Sequence, residues 1–245
     1  MSRAEIRAER LKQALRSLPM FRGLKAPELE RLEAIAAIRE FDRGAALWQA
    51  GDTADHLTLI VRGRAKIVRH GPVGDVILEI FGVGEPVGAM AVFEGMPYPA
   101  TAIALEPLSL VCIPRREFFG LLEMRPEFAR AIVRELTKLT VSLMRKLEEM
   151  RGQRVESRIA RLFLTLAERM GKPTPEGVEV PLALTRLEIA EMVGTTVESS
   201  IRVLSRWGRE GVLITGEDRF VIPSIERLQL AAEAIETTGK PACEP

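Results

Sequence analysis

A carboxylate and a guanidinium one helical turn apart, Glu198 and Arg202, are the residues best placed to do chemistry. They lie inside TRLEIAEMVGTTVESSIRVLSRWGREGV, Thr185–Val212. On an exposed helix face this pair suits a DNA major groove, where Glu accepts from cytosine N4 and Arg forks onto guanine O6 and N7. The surrounding pattern predicts two short helices joined by a glycine turn. Thr185 with Glu188, then Thr195 with Glu198, each fit the T-x-x-E capping box. Gly194 between them supplies the position without Cβ that ends the first helix. Ile189, Ala190 and Val193 form the inner face of the first helix, and Val203, Leu204 and Trp207 that of the second. Val197, Glu198, Ile201, Arg202 and Ser205 fall on a separate outward face, entered from Thr196. The plainer alternative makes Glu198 a capping acid and Arg202 its i+4 salt-bridge partner.

The residues that follow favour the groove-reading alternative. Val212–Thr215, Gly216–Asp218 and Arg219–Ile222 read as a hairpin ended by Pro223. A hairpin after the second helix is the wing of a winged helix-turn-helix. Nothing comparable points to an enzyme. No Ser-His-Asp grouping, H-E-x-x-H or P-loop is present, and the two histidines, His56 and His70, are isolated.

Bulk composition limits the remaining choices. The 245-residue chain is 47% hydrophobic and 28% charged, as a globular protein is, with room for two cores. A net charge of +1 means that any DNA binding rests on a local patch and on pairing of copies. Two cysteines, Cys112 and Cys243, fit a reducing compartment and cannot supply a four-cysteine iron–sulfur or zinc site. No apolar run approaches the ~20 residues that span a bilayer. The charged N-terminus is not a secretory signal, so a cytoplasmic protein is expected.

Upstream, residues 3–18 read as an amphipathic helix with Ile6, Leu11, Leu15 and Leu18 apolar, and Ala26–Ala37 as a second. Nine of the nineteen glycines then fall between Gly44 and Gly95, separating runs such as Leu57–Val61, Ala65–Val68, Val76–Phe81 and Ala100–Leu105. With Leu108–Ile113 last, this predicts a β-roll or jelly roll. From Glu127 to Arg151 the period is helical. Leu136, Leu143 and Met150 are seven apart, as are Ile132 and Leu139, which suggests the a/d seam of a parallel dimer; the plainer alternative is a stripe that packs on its own β domain. Gly152 marks a hinge, Val155–Met170 another helix, and Gly171–Gly177 a loop. Arg151, Arg154, Arg158 and Arg161 share one face, either solvated or set against phosphates. The expected organisation is α+β in two domains. It comprises a sensory β domain over 1–126, a dimerisation helix over 127–151, a winged helix-turn-helix over 152–230 and a tail over 231–245.

This order resembles the CRP/FNR family of bacterial transcription regulators over residues 18–230. Gly82–Leu105, GVGEPVGAMAVFEGMPYPATAIAL, is similar to the family's phosphate-binding cassette, and Leu184–Val212 to its DNA-reading motif. The resemblance implies a homodimer that binds double-stranded DNA at a palindrome with TGA-like half-sites. Glu198 and Arg202 would be its base readers, and Thr185 and Arg186 its phosphate contacts. Val197 before the Glu resembles the FNR side of the family, while Ile201 stands where that branch has Ser. The segment 171–177 lies where members can touch RNA polymerase.

On the effector side the resemblance points to Gly84, Glu85, Tyr98, Leu143 and Met144 as pocket candidates. Gly84-Glu85 match the pair that holds ribose. Tyr98-Pro99 replace the Arg-Ser that grips the cyclic phosphate, and Leu143-Met144 replace the Thr-Ser that meets adenine. A buried anion without its cation is costly, so cyclic AMP in the usual pose is not expected. FNR-type oxygen sensing is excluded for want of the cysteine cluster. PYPATA resembles the nitrogen-oxide-responsive branch, which leaves a haem-based gas sensor open as an alternative. A cyclic-nucleotide module acting on a protein partner is the other alternative.

Overall fold

In strands β3 (His56–Arg62) and β8 (Leu108–Pro114) Leu57–Ile60 and Leu108–Ile113 are buried, and the period of two sends alternate residues into different cores. Leu57 and Leu59 with Val111 and Ile113 face one cluster. Ile60 with Leu108, Leu110 and Cys112 faces the other. That two-sided burial organises the first half of this computed structural model, which describes residues 3–21, 24–71, 74–124 and 154–233. Between 124 and 154 it describes the helical positions 129, 130, 133, 134, 136, 137, 140, 141 and 144. The chain divides into two compact units, Met1–Val141 and Ser142–Pro245.

The first unit is a jelly roll of two antiparallel four-stranded sheets. One has the order β1-β8-β3-β6 and the other β2-β7-β4-β5. The remaining strands are β1 (Ala37–Phe41), β2 (Ala46–Trp48), β4 (Ala65–Gly71), β5 (Gly74–Phe81), β6 (Pro86–Val87) and β7 (Thr101–Ala104). One core cluster lies between the sheets. The outer face of β3 and β8 is covered by α1 (Arg3–Ser17), α2 (Ala26–Ile35) and α4 (Arg115–Met124), through Leu11, Leu15, Leu18, Leu32 and Phe118. The second helix stops at Ile35, short of the expected Ala37, because Ala37 opens β1 opposite Cys112. A short α3, Ala89–Glu94, fills the cassette region.

Leu136 is half-buried and packs against the helix-covered cluster, while Val133, Val141 and Met144 are exposed. Ile132, Leu139, Leu143 and Met150, the other members of the expected seam, lie outside the described residues, as does Arg151.

The second unit is built on α5, Val155–Met170, whose Ile159, Ala160, Phe163 and Leu166 are buried. It continues with β9 (Lys172–Thr174), β10 (Gly177–Val180), α6 (Arg186–Val193) and α7 (Val197–Glu210). It closes with β11 (Ile214–Thr215), β12 (Phe220–Ile222) and α8 (Ile225–Glu233). The strands form one sheet, β11-β12-β10-β9. Gly171–Gly177 is therefore not a loop. Lys172–Thr174 pairs with Gly177–Val180, and Pro173 is tolerated because β9 is the sheet edge. The wing hairpin is shorter than expected, with Ile214 opposite Val221 and Thr215 opposite Phe220. Val212 and Leu213 are instead buried as core. The sequence reading also missed α8, although Ser224 caps it and Leu228 and Ala232 are its buried i, i+4 pair.

Candidate nucleic-acid interface

The helix-turn-helix is set by its caps. Thr185 Oγ1 accepts from the Glu188 amide at 3.1 Å, and Glu188 Oε2 accepts from the Thr185 amide at 2.8 Å, which completes a capping box. Gly194 ends α6 in the left-handed region at φ +65°, its amide donating to Ala190 O. The Thr195 amide also donates to Ala190 O, at 3.0 Å. This turn consumes Thr195, so the expected Thr195–Glu198 box does not form. The N-cap of α7 is Thr196, whose hydroxyl accepts from the Ser199 amide.

Helix α7 has two distinct faces. Ser200, Val203, Leu204 and Trp207 are buried, and Trp207 keeps only 3% of its surface. Glu198, Ile201, Arg202 and Ser205 are exposed, and Val197 is half-buried. Glu198 is held below the ordinary carboxylate range by its own backbone amide and then by the Thr196 hydroxyl. It is thus an ionised acceptor at neutral pH. Among the described residues no ion pair joins Glu198 to Arg202. An acid and an unpaired guanidinium on one exposed face can therefore meet base edges.

At the start of α6, Thr185 is exposed and Arg186 half-buried. Burial lowers the Arg186 pKa. Arg186 Nη2 donates to Thr215 Oγ1 at 3.1 Å, tying α6 to the wing. The wing is braced on its other side by Arg219 Nη1 and Glu179 Oε2, 2.7 Å apart.

The arginine stripe resolves into separate roles that sequence reasoning missed. Arg158 Nη1 donates to the carbonyls of Val193 (2.8 Å) and Gly194 (3.0 Å), at the end of α6. Arg161 Nη2 donates to Ala232 O at 3.2 Å, at the end of α8. Both satisfy helix-terminal carbonyls rather than lying on a solvated or phosphate-facing stripe. The spacing grouped these arginines, but only the fold supplies the carbonyls they meet. Arg154 remains exposed as the N-cap of α5.

In the β unit the effector candidates are engaged by their own fold. Gly84 has φ +85°, its amide bonds Ile60 O at 2.8 Å, and Glu85 Oε2 accepts from the Gly82 amide at 2.6 Å. Tyr98 is 5% exposed and stacks on Trp48, with ring centroids 4.1 Å apart and planes at 13°. Tyr98 is thus part of the core cluster between the sheets. Burial first, with the nearby Cys112 and Asp55, pushes its phenol up to about 12. Gly88, at φ +70°, lies so close that a Cβ there would be 2.6 Å from Tyr98 Cε1 and 2.9 Å from Trp48 Cζ2. Arg115 Nε donates to Val92 O at 2.6 Å, holding the end of α3. Met144 is exposed in the second unit, and Leu143 lies outside the described residues. His70 Nδ1 pairs with Asp75 at 2.8 Å in the β4–β5 hairpin, and His56 is half-buried in β3.

A jelly roll followed by a winged helix-turn-helix defines a two-domain DNA-binding regulator. Residues 38–125 match the Cyclic nucleotide-binding domain family and residues 157–231 the Crp-like helix-turn-helix domain. The chain is 26% identical over 210 residues to the CRP-like cAMP-activated global transcriptional regulator of Mycobacterium tuberculosis, covering 85% of this chain and 94% of that one. It is 27% identical over 190 residues to the Global nitrogen regulator of Synechococcus elongatus, covering 76% and 83%. The structure of FixK2 from Bradyrhizobium japonicum superposes with a TM-score of 0.72 at 17% identity, covering 82% of this chain and 98% of that one, and shares its fold.

The protein belongs to the CRP/FNR family and is a DNA-binding transcription regulator, not an enzyme. Among the described residues, no helix is long and apolar enough to cross a membrane and no His/Cys/Asp/Glu cluster could hold a metal ion.

Proposed function

We propose that the protein is a cytoplasmic homodimer that reads a palindromic site with TGA-like half-sites. The heptad seam over 127–151 joins the protomers. Each α7 enters a major groove, the two about one DNA turn (~34 Å) apart. Glu198 and Arg202 read neighbouring base pairs, Ile201 meets a thymine methyl, and Thr185 and Arg186 hold phosphates. RNA polymerase is the partner through which such binding changes transcription. The observation that carries this reading is the two-faced α7, with Glu198 and Arg202 exposed on its outer side and not paired with each other.

The β unit answers to an effector other than cyclic AMP, or to none. Tyr98, which stands where the family has its phosphate-gripping arginine, is stacked on Trp48, and Glu85 closes its own turn. An effector acts only if it binds the DNA-competent arrangement more tightly than the alternative.

Selection of duplexes from a random pool, with and without cell extract, tests site, symmetry and effector dependence together. On the selected site, Arg202→Ala is expected to cost about 1–3 kcal/mol and to flatten preference at one position. Unchanged discrimination by that variant in a gel-shift series refutes the assignment. Cyclic AMP is expected to leave Trp48 fluorescence and DNA affinity unchanged.

A further inference from the structure

The first turn of α5 carries two charged residues, Glu156 and Arg158, and each reaches a different part of the helix-turn-helix. Arg158 Nη1 bridges the carbonyls of Val193 and Gly194, the last residue of α6 and the left-handed glycine of the turn. Its Nε is buried without a partner. Burying part of a guanidinium unpaired is unfavourable, so this placement is not one that solvation alone would select. Glu156 meets the guanidinium of Arg206 on α7, four residues after the proposed base reader Arg202. Arg206 Nε also lies 3.9 Å from Glu210. One short stretch of α5 thus grips the turn at one point and the second helix at another. Two such attachments define both where α7 stands and how it is rotated about its axis.

We propose that Glu156 and Arg158 are positioning residues that set the pose of the recognition helix and thereby its base discrimination. This rests on the reading of Glu198 and Arg202 as base readers. Hydrogen bonds to base edges weaken steeply with misalignment, whereas contacts to phosphates are mainly electrostatic and tolerate small displacements. A misplaced α7 therefore loses selectivity before it loses attraction to DNA. Partial unfolding behaves differently, lowering specific and non-specific binding by the same factor.

The test uses the full chain, a duplex selected by the unaltered protein from a random pool, and a scrambled duplex. Measurements are made at a temperature where circular dichroism shows every variant folded. Arg158→Gln and Glu156→Arg are each expected to lower the specific-to-non-specific affinity ratio about tenfold, with non-specific affinity held. Arg158→Lys, which keeps a cationic donor for the two carbonyls, is expected to retain most of the ratio. The charge exchange E156R/R206E is expected to return the ratio to within about threefold of the original, and it serves if Arg158→Gln does not fold.

Arg202→Ala runs alongside. If it collapses the ratio while Arg158→Gln and Glu156→Arg do not, the positioning role is overturned. Failure of the charge exchange to restore the ratio overturns the part played by Glu156. An unchanged ratio in Arg202→Ala itself overturns the base-reading assignment, and the proposal with it.

Discussion

Replacing Gly88 by alanine is the sharpest probe of the packed cassette. At φ +70° an L side chain is strained by about 1–2 kcal/mol. The new Cβ would stand 2.6 Å from Tyr98 Cε1 and 2.9 Å from Trp48 Cζ2, so the stacked rings must shift together. Trp48 cannot follow freely, because its Nε1 donates to Ala100 O at 3.1 Å. Overpacking of this kind adds about 1–3 kcal/mol, for a total of about 2–5 kcal/mol.

The chain has two tryptophans, Trp48 in the β unit and Trp207 in the other. Denaturant unfolding followed by fluorescence in a Trp207→Phe background therefore reports on the stack alone. Adding Tyr98→Leu should remove the steric part and leave the backbone part, giving a coupling of at least about 1 kcal/mol in the double-mutant cycle. A Gly88→Ala variant within about 0.5 kcal/mol of its parent, or one indifferent to Tyr98→Leu, would refute the account of a filled cassette.

Other consequences can be measured directly. Tyr98 is the chain's one tyrosine, so tyrosinate absorbance reads its titration without interference; the midpoint should lie near 12 folded and near 10 in denaturant. Because the neutral phenol is the form the fold favours, its contribution of about 3 kcal/mol is complete below pH 10 and is lost as pH rises to 12. A folded-state midpoint near 10 contradicts the burial. Ser200 Oγ is buried without a partner on the inner face of α7. Ser200→Ala should accordingly be neutral or stabilising by up to about 1 kcal/mol in chemical denaturation, and a loss of more than that would reveal a partner for the hydroxyl.

Much of the DNA-binding unit was legible in the chain because its signals are local. The Thr185–Glu188 box, Gly194 and the buried Val203, Leu204 and Trp207 each depend on residues within a turn or two. The strands of the β unit were visible as short apolar runs for the same reason. Which sheet they join was not visible, because the pairings β1-β8-β3-β6 and β2-β7-β4-β5 link residues far apart in sequence.

Local pattern also could not separate Thr195 from Thr196. Both are threonines with a plausible acceptor role, and the turn back to Ala190 O decides which is left to cap α7. Likewise, Tyr98 reads equally as a pocket lining or a core residue until Trp48, fifty positions away, is laid on its ring. The arginines before and within α5 look alike by spacing. Arg158 differs from its neighbours only because folding brings two unpaired helix-end carbonyls to it. The amino-acid order thus determines the helices, their caps and the charge pattern of α7, since those are short-range matters of backbone and solvent. Tertiary structure alone decides which polar groups become partners and which cavities are filled, because those energies exist only between segments the chain itself keeps apart.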